Sequence, residues 1–418
     1  MFEYRMLRII PLIAAVSLAL MAEDVTRLPV GDPARRGREL TVLADTITDT
    51  TTGKSLTPAE LAAKLDDVRV VFVGESHTDA SYHQVQFQVI RELQKRGRTV
   101  LVGLEMFPYT AQPALDRWNA GKETEQAFLD DSHWYLNWGY HWAYYREIFL
   151  FAREHGIKFH GVNTPREVVA AVRKKGFKDL TPEEAAAIPA KIDTVSAEHR
   201  RVVKALFNDD DGKLHTMSEQ MFEGMFSAQC TWDAAMGFNA VQVLRKSGGA
   251  KDIMVVLIGQ GHVAYGLGIQ RQAATWFEGK MASVIPMHIE DLKGKNTSKV
   301  QASYADYLWG LPREEEPVFP SVGMSTRGGR NGLPMTIIDV QKDTPAAAAA
   351  LKVGDVLVSM DGIPVTGLET YQTIMSTKRW GDPVTFVVTR DQAPVTVNVL
   401  LRRTGPAATE TKPTPKAP

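Results

Sequence analysis

Apolar positions follow two rhythms along this chain. Four short runs read as strands: Val68 to Val73 before Gly74, Thr99 to Leu104 and Asp252 to Ile258 before Gly259, which are mostly apolar, and Ile157 to Val162, which carries Lys158 and His160. Unbroken, β-branched runs of this length read as strands buried on both faces. Helical patterns lie between them. One runs from about Tyr82 to Arg96, with Ser81 as its N-cap and Gly97 as its stop; another covers Phe149 to Glu154 and ends at Gly156. Strands alternating with helices predict a mostly parallel sheet with helices on its faces. A long helical stretch, about Thr181 to Lys246, opens with Thr181-Pro182-Glu183-Glu184 and is broken by Asn208 to Gly212. It reads as a helical insertion over the sheet. The rhythm then changes: residues 321–403 are short strands with one alanine-rich helix. The pattern predicts an α/β domain over residues 23–310, a linker over 311–320 and a small β-rich domain over 321–403.

The ends of the chain have their own compositions. Arg5 and Arg8 precede an apolar run from Ile9 to Ala22 that closes on a small residue. Residues 1–22 therefore read as a signal peptide, since the run is shorter than the ~20 residues needed to span a bilayer. This predicts an exported protein of the periplasm or cell envelope, with an uncleaved N-terminal anchor as the alternative. The tail from Thr404 to Pro418 is rich in Pro, Thr and Lys and reads as disordered. Net charge is −1, from 48 basic and 49 acidic residues, so no global field favours nucleic acid. Cys230 is the single cysteine, which rules out disulfides within the chain and multi-thiolate metal sites. Any ligand chemistry falls to His, Tyr, Asp, Glu or Met.

The strand ends carry that chemistry. The first run ends in Gly74-Glu75-Ser76-His77, the second in Glu105-Met106-Phe107-Pro108, the third in Asn163-Thr164-Pro165-Arg166 and the fourth in Gly259-Gln260-Gly261-His262. In a parallel sheet these four ends converge on one rim, where ligands of such folds bind. Glu75 and His77 are two apart and share a face in extended backbone. A second cluster is aromatic. Seven of the thirteen residues from His133 to Tyr145 are Trp or Tyr, far above this chain's average, which suits a planar ligand such as haem or a packed helical seam. Met217, Met221 and Met225 recur every four residues and predict one helical face, read as core with a soft wall of a cofactor or peptide groove as the alternative.

Several of these motifs, in this order, resemble the ChaN-like haem-binding uptake family of the Tiki superfamily. They are VVFVGESHTDASYHQVQFQVI from Val70, LVGLEMF from Leu101, the aromatic segment, HGVNTPRE from His160, CTWDAAMGFN from Cys230 and VLIGQGHVAYGLGI from Val256. The resemblance covers about Val68 to Leu308. It implies an α/β core with a helical insertion, haem binding, iron uptake, and dimers that share the haem. It also places Glu75, His77, Glu105 and His262 on a shared site that some superfamily members use as metal-dependent proteases or esterases. Residues 321–403 resemble a PDZ domain through Asp343-Thr344-Pro345-Ala346, Leu351 to Leu357 and Asp361-Gly362, with Gly323 and Met324 where the carboxylate-binding loop falls. Such a domain captures the C-terminus of a peptide or partner protein on a sheet edge.

Three readings follow. Haem needs an axial ligand and partners for its propionates; Tyr82, His83, Tyr140 and His141 are the candidates for the first, Arg166 for the second. A hydrolase needs a divalent metal on Glu75, His77 and His262, with Glu75 or Glu105 free to act as a base. A binding module makes the PDZ domain the working part.

Overall fold

A computed structural model describes residues 23–209 and 217–403. The signal-peptide and tail readings, and most of the predicted break at Asn208 to Gly212, lie outside the described residues. No helix among them is long and apolar enough to cross a membrane.

The four predicted strands lie side by side and form one half of a larger sheet. In chain order its strands are β1 (Ile47–Asp49), β2 (Ser55–Leu56), β3 (Val70–Glu75), β4 (Thr99–Pro108), β5 (Lys158–Asn163), β6 (Asp252–Gly259), β7 (Met281–Glu290) and β8 (Tyr307–Arg313). They lie in the order β2-β1-β8-β7-β3-β6-β4-β5. All pairs from β8 to β5 are parallel, and β1 and β2 add an antiparallel edge. The sheet thus has strands that the run-by-run reading left out. β7 and β8 sit beside β3, and β8 runs to Arg313, into the segment expected to be linker.

Alternation explains the unbroken apolar runs. In β3, Val71 and Val73 enter one core while Val70 and Phe72 enter the other; in β6, Ile253, Val255 and Leu257 part from Met254, Val256 and Ile258 in the same way. A strand covered on both faces needs apolar residues at every position. The first core is closed by α2 (Ala80–Lys95) and by the aromatic segment with α4 (Arg146–Glu154). The second is closed by the long α7 (Glu219–Ser247). Here α1 is Pro58–Lys64, α3 is Trp134–Asn137, α5 is Arg166–Lys175 and α6 is Ala197–Asp209.

The methionine stripe is a correction. Met221 is 59% exposed, and the inner face of α7 there is Phe222, Phe226 and Cys230. The phenylalanines repeat at the same spacing one position on and, being larger, take the core. Cys230 is buried and free.

The C-terminal domain is a mainly antiparallel sheet of β9 (Met324–Arg327), β10 (Thr336–Val340), β11 (Val356–Met360), β12 (Ile363–Pro364), β13 (Pro383–Arg390) and β14 (Ala393–Leu400). β9 is an edge strand. Besides the short alanine-rich helix there is a second helix, α8 (Leu368–Ser376), which the sequence reading missed. The domain docks on the aromatic segment. Phe319 stacks on His141 at 3.4 Å between ring centroids, His141 Nε2 lies 2.9 Å from the Ser376 carbonyl, and His133 Nδ1 lies 3.1 Å from Glu369.

Candidate functional site

The parallel register gathers the strand ends as expected. Glu75 closes β3 opposite Gly259 at the end of β6, and Glu105 lies on β4 next to β6. The Glu105 carboxylate accepts the Gly259 N–H at 2.6 Å. Two buried charge clusters result, which adjoin at Glu105 and open through His77 and Glu105 onto a cleft of about 670 Å³.

The first cluster centres on Glu75. Its carboxylate accepts the Tyr145 hydroxyl at 2.7 Å, lies 2.7 Å from His77 Nδ1 and 3.2 Å from His83 Nδ1. Burial alone would raise the Glu75 carboxyl, but the imidazoles of His83 and His77 hold it well below the usual carboxylate range. The same carboxylate raises both histidines against the cost of their own burial. With Nδ1 fixed on Glu75, His77 turns its other edge toward Gly259 and Glu105.

The second cluster centres on His262. Its Nδ1 lies 2.6 Å from Asp233, a fully buried carboxylate on α7, and its Nε2 lies 3.4 Å from Glu105. Burial opposes the charge, yet Asp233 and Glu105 push His262 up to about 10. Asp233 also sits 3.5 Å from His199 Nε2, and burial holds that ring down at about 4.

In front of these clusters the cleft has flat walls. Trp138 meets His77 edge-on at 4.6 Å and Tyr140 tilts against it at 4.8 Å. Trp232 and Met106 line the cleft further round, and Arg166, Arg173 and Arg330 put cations on it. The rest of the aromatic segment is core: Trp134 and Tyr145 are fully buried. The segment is thus both a seam and a wall, divided residue by residue.

Of the sequence candidates, His77, Glu105, Tyr140 and Arg166 line the cleft, with Glu75 and His262 directly behind it. Glu75, His77 and Glu105 offer ligand atoms within 4.8 Å of one another. His262 stands outside that group, taken up by Asp233. Tyr82 and His83 do not reach the cleft. α2 turns both inward, His83 onto Gln86 and the His77 carbonyl, and Tyr82 against His288. His141 is spent on the domain contact described above. Met324 lies at a separate groove of about 420 Å³ between β9 and α8, whose far wall is Tyr135, Tyr140, His141 and Tyr144; Gly323, expected beside it, packs on Thr344 and does not line the groove. Tyr140 therefore belongs to both the cleft and the groove.

Sequence reasoning missed Asp233, Trp232 and Arg330, while Trp138 belongs to the aromatic cluster expected to face a planar ligand. Asp233 had a signal: a carboxylate among apolar neighbours in Ala228 to Ala235. Arg330 had none, because only the docking of the domains brings it to the cleft.

Comparison with known proteins agrees with this geometry. No curated protein matches the chain. Among solved structures, ChaN of Campylobacter jejuni, described with cofacial haem binding, is 17% identical over 63% of this chain and 95% of that one, at a TM-score of 0.48. A succinoglycan biosynthesis protein is 14% identical over 56% of this chain and 69% of its own, at 0.36. The HtrA-type protease AlgW, solved with a decapeptide, is 19% identical over 21% of this chain and 31% of its own, at 0.20. Residues 320–401 match the PDZ domain profile. Residues 61–272, just over half of the chain and the span that holds both charge clusters, match the profile described as haem-binding uptake, Tiki superfamily, ChaN. The chain accordingly belongs to the ChaN haem-binding uptake family of the Tiki superfamily and carries a PDZ domain after the family's α/β fold.

Proposed function

We propose that this protein binds haem in the strand-end cleft and carries it, or its iron, in uptake outside the cytoplasm. The family supports haem as the ligand, and the basic-then-apolar start of the chain supports export. The observation that carries the reading is the pairing of flat walls with a donor set. Trp138 and Tyr140 offer planar apolar surface, Tyr140 and His77 offer a phenol and an imidazole, and guanidiniums line the same cleft. That set fits haem: iron takes Tyr or His axially, and propionates take Arg. The volume of about 670 Å³ lies within the range of small-molecule sites. Bound haem would supply a redox-active iron; the protein's own residues hold the ring, set the charge around it and exclude water from one face. Titrating haemin into the purified protein should give a Soret shift that saturates, and Tyr140→Phe or His77→Ala should change its position. A shift that never saturates overturns the reading.

One observation favours a second reading, a metal-dependent hydrolase. Glu75, His77 and Glu105 form a compact group suited to a divalent metal. Metal analysis after mild purification tests it, with His77→Ala expected to lose the metal. The PDZ groove adds a partner. The free edge of β9 and the apolar face of α8 suit an extended peptide ending in a carboxylate.

A further inference from the structure

The cleft is not built by the α/β domain alone. Arg330 reaches it from the PDZ domain, out of the loop that joins β9 to β10. That loop holds a fixed shape. Gly329 N–H donates to the Leu333 carbonyl at 2.9 Å, Leu333 N–H donates back to Arg330 at 3.0 Å, and Leu368 N–H on α8 donates to Gly329 at 2.8 Å. Gly328 and Gly329 have φ of +85° and +72°, and a Cβ at Gly328 would stand 2.0 Å from the Pro334 carbonyl oxygen. Only glycine fits there, so the loop's path, and with it the place of Arg330, is set by the backbone.

The α/β domain meets Arg330 with a guanidinium of its own. Arg330 donates to the Leu136 carbonyl, and Arg166 donates to the next carbonyl, Asn137, at 2.7 Å. The last turn of α3 thus pins one cation from each domain at neighbouring points on the cleft wall. Like charges so placed repel. Burial and the Arg330 charge both disfavour the cationic form of Arg166. Neither arginine forms an ion pair within 4.0 Å of a carboxylate among the described residues; Glu105, on the same cleft, and Glu167 are near enough for Arg166 to feel, and Glu167 and Glu369 for Arg330, and no nearer. Arg166 also opens the ten-residue α5, whose first-turn amides add positive potential on the same side.

We infer that Arg166 and Arg330 form an anion seat shared between the two domains, which takes a pair of carboxylates on the ligand of the cleft. Given the haem reading on which this rests, those carboxylates are the two propionates. The planar forks of two arginines suit two carboxylates held a short distance apart. The ligand then bridges the domains, and its binding is linked to the docking of the PDZ domain on the aromatic segment.

The test compares haemin with haemin dimethyl ester, which keeps the ring and iron and loses the carboxylates. Arg330→Gln keeps a donor for the Leu136 carbonyl and removes the charge. It should weaken haemin by roughly tenfold and leave the ester within about twofold. Arg330→Lys should recover part of the loss, and Arg327→Ala, an exposed neighbour, should match the wild type. Equal haemin affinity in Arg330→Gln and wild type overturns the seat while the haem reading stands. Equal loss of haemin and ester overturns it too, since that marks a structural role. Should wild type bind neither compound, the haem reading falls and succinate tests the seat alone. Its addition should shift the Nε–Hε resonances of Arg166 and Arg330 in ¹⁵N-labelled protein; unmoved resonances overturn the seat.

Discussion

The strand-end cleft and the PDZ groove share one wall and are built on opposite principles. The cleft is made of side-chain charge. Glu75 and Asp233 are buried carboxylates held by imidazoles, and each imidazole answers to a carboxylate in turn. The groove is made of backbone. β9 offers an unpaired edge and α8 an apolar face, and the charge contact between α8 and the aromatic segment, His133 with Glu369, is exposed. A site built on buried charge fails when one partner is removed, because the others are left unpaired in a poor solvent. A site built on backbone fails when a turn is distorted. The lesson is that the domains should respond to different substitutions.

The largest expected effect is at Glu75. Glu75→Gln keeps the volume and an acceptor for Tyr145 but strips the countercharge from His77 and His83. It should destabilise the α/β domain by about 3–5 kcal/mol, the cost of breaking a buried ion pair from one side. Urea unfolding followed by tryptophan emission reads this. A loss under about 1 kcal/mol would show that the cluster behaves as exposed charge and would dissolve the contrast.

Asp233→Asn comes next and carries a pH signature. His262 is raised in the folded protein, so its charge stabilises fully below the unfolded value near 6.5 and that contribution is lost as pH rises toward about 10. Without Asp233 the elevation shrinks. The variant should lie about 2–3 kcal/mol below wild type at pH 6, and the gap should narrow at pH 9.5. A gap of constant size across that range would remove His262 from the explanation.

How much of this was legible in the sequence follows the same division. The strand ends could be read because β3, β4 and β6 are buried on both faces and announce themselves as apolar runs that stop at Gly74, Glu105 and Gly259, while β5, at the sheet edge with Lys158 exposed, was legible from its place after a helix and before Asn163. β1 and β2 were not, since short strands at the edge leave no such run, and neither were β7 and β8, whose apolar stretches are interrupted by Ser283, Pro286 and His288 and by Gly310 and Pro312. Glu75, His77 and Glu105 were placed together by topology alone. Tyr82 and His83 were misjudged because the rotation of α2 decides which of its faces meets the sheet, and a motif does not state it. His141 and Arg330 depend on how two domains dock, which no local pattern encodes.

The PDZ side of the contrast is tested by smaller changes. Gly323→Ala places a Cβ where φ is +80° and the Thr344 side chain is 2.2 Å away. It should cost roughly 1–2 kcal/mol, confined to the PDZ domain, with haemin titration unchanged. Equal damage to the cleft would mean that the two sites fold as one unit.

The mildest substitution probes the joint itself. Phe319→Ala removes the ring stacked on His141 at 3.4 Å and edge-on to Tyr144 at 5.1 Å, at a cost of about 1 kcal/mol. The cores of both domains are left intact, so the loss should appear as looser docking rather than as unfolding. Faster hydrogen exchange should then appear over Trp134–Asn137 and Leu368–Ser376 and nowhere in β3 or β13. Since Arg330 reaches the cleft only through this docking, the same variant should weaken haemin and spare its dimethyl ester, though less than Arg330→Gln does. Haemin and ester weakened alike would show that the aromatic wall had moved, and the cleft would then be less rigid than its buried charges imply.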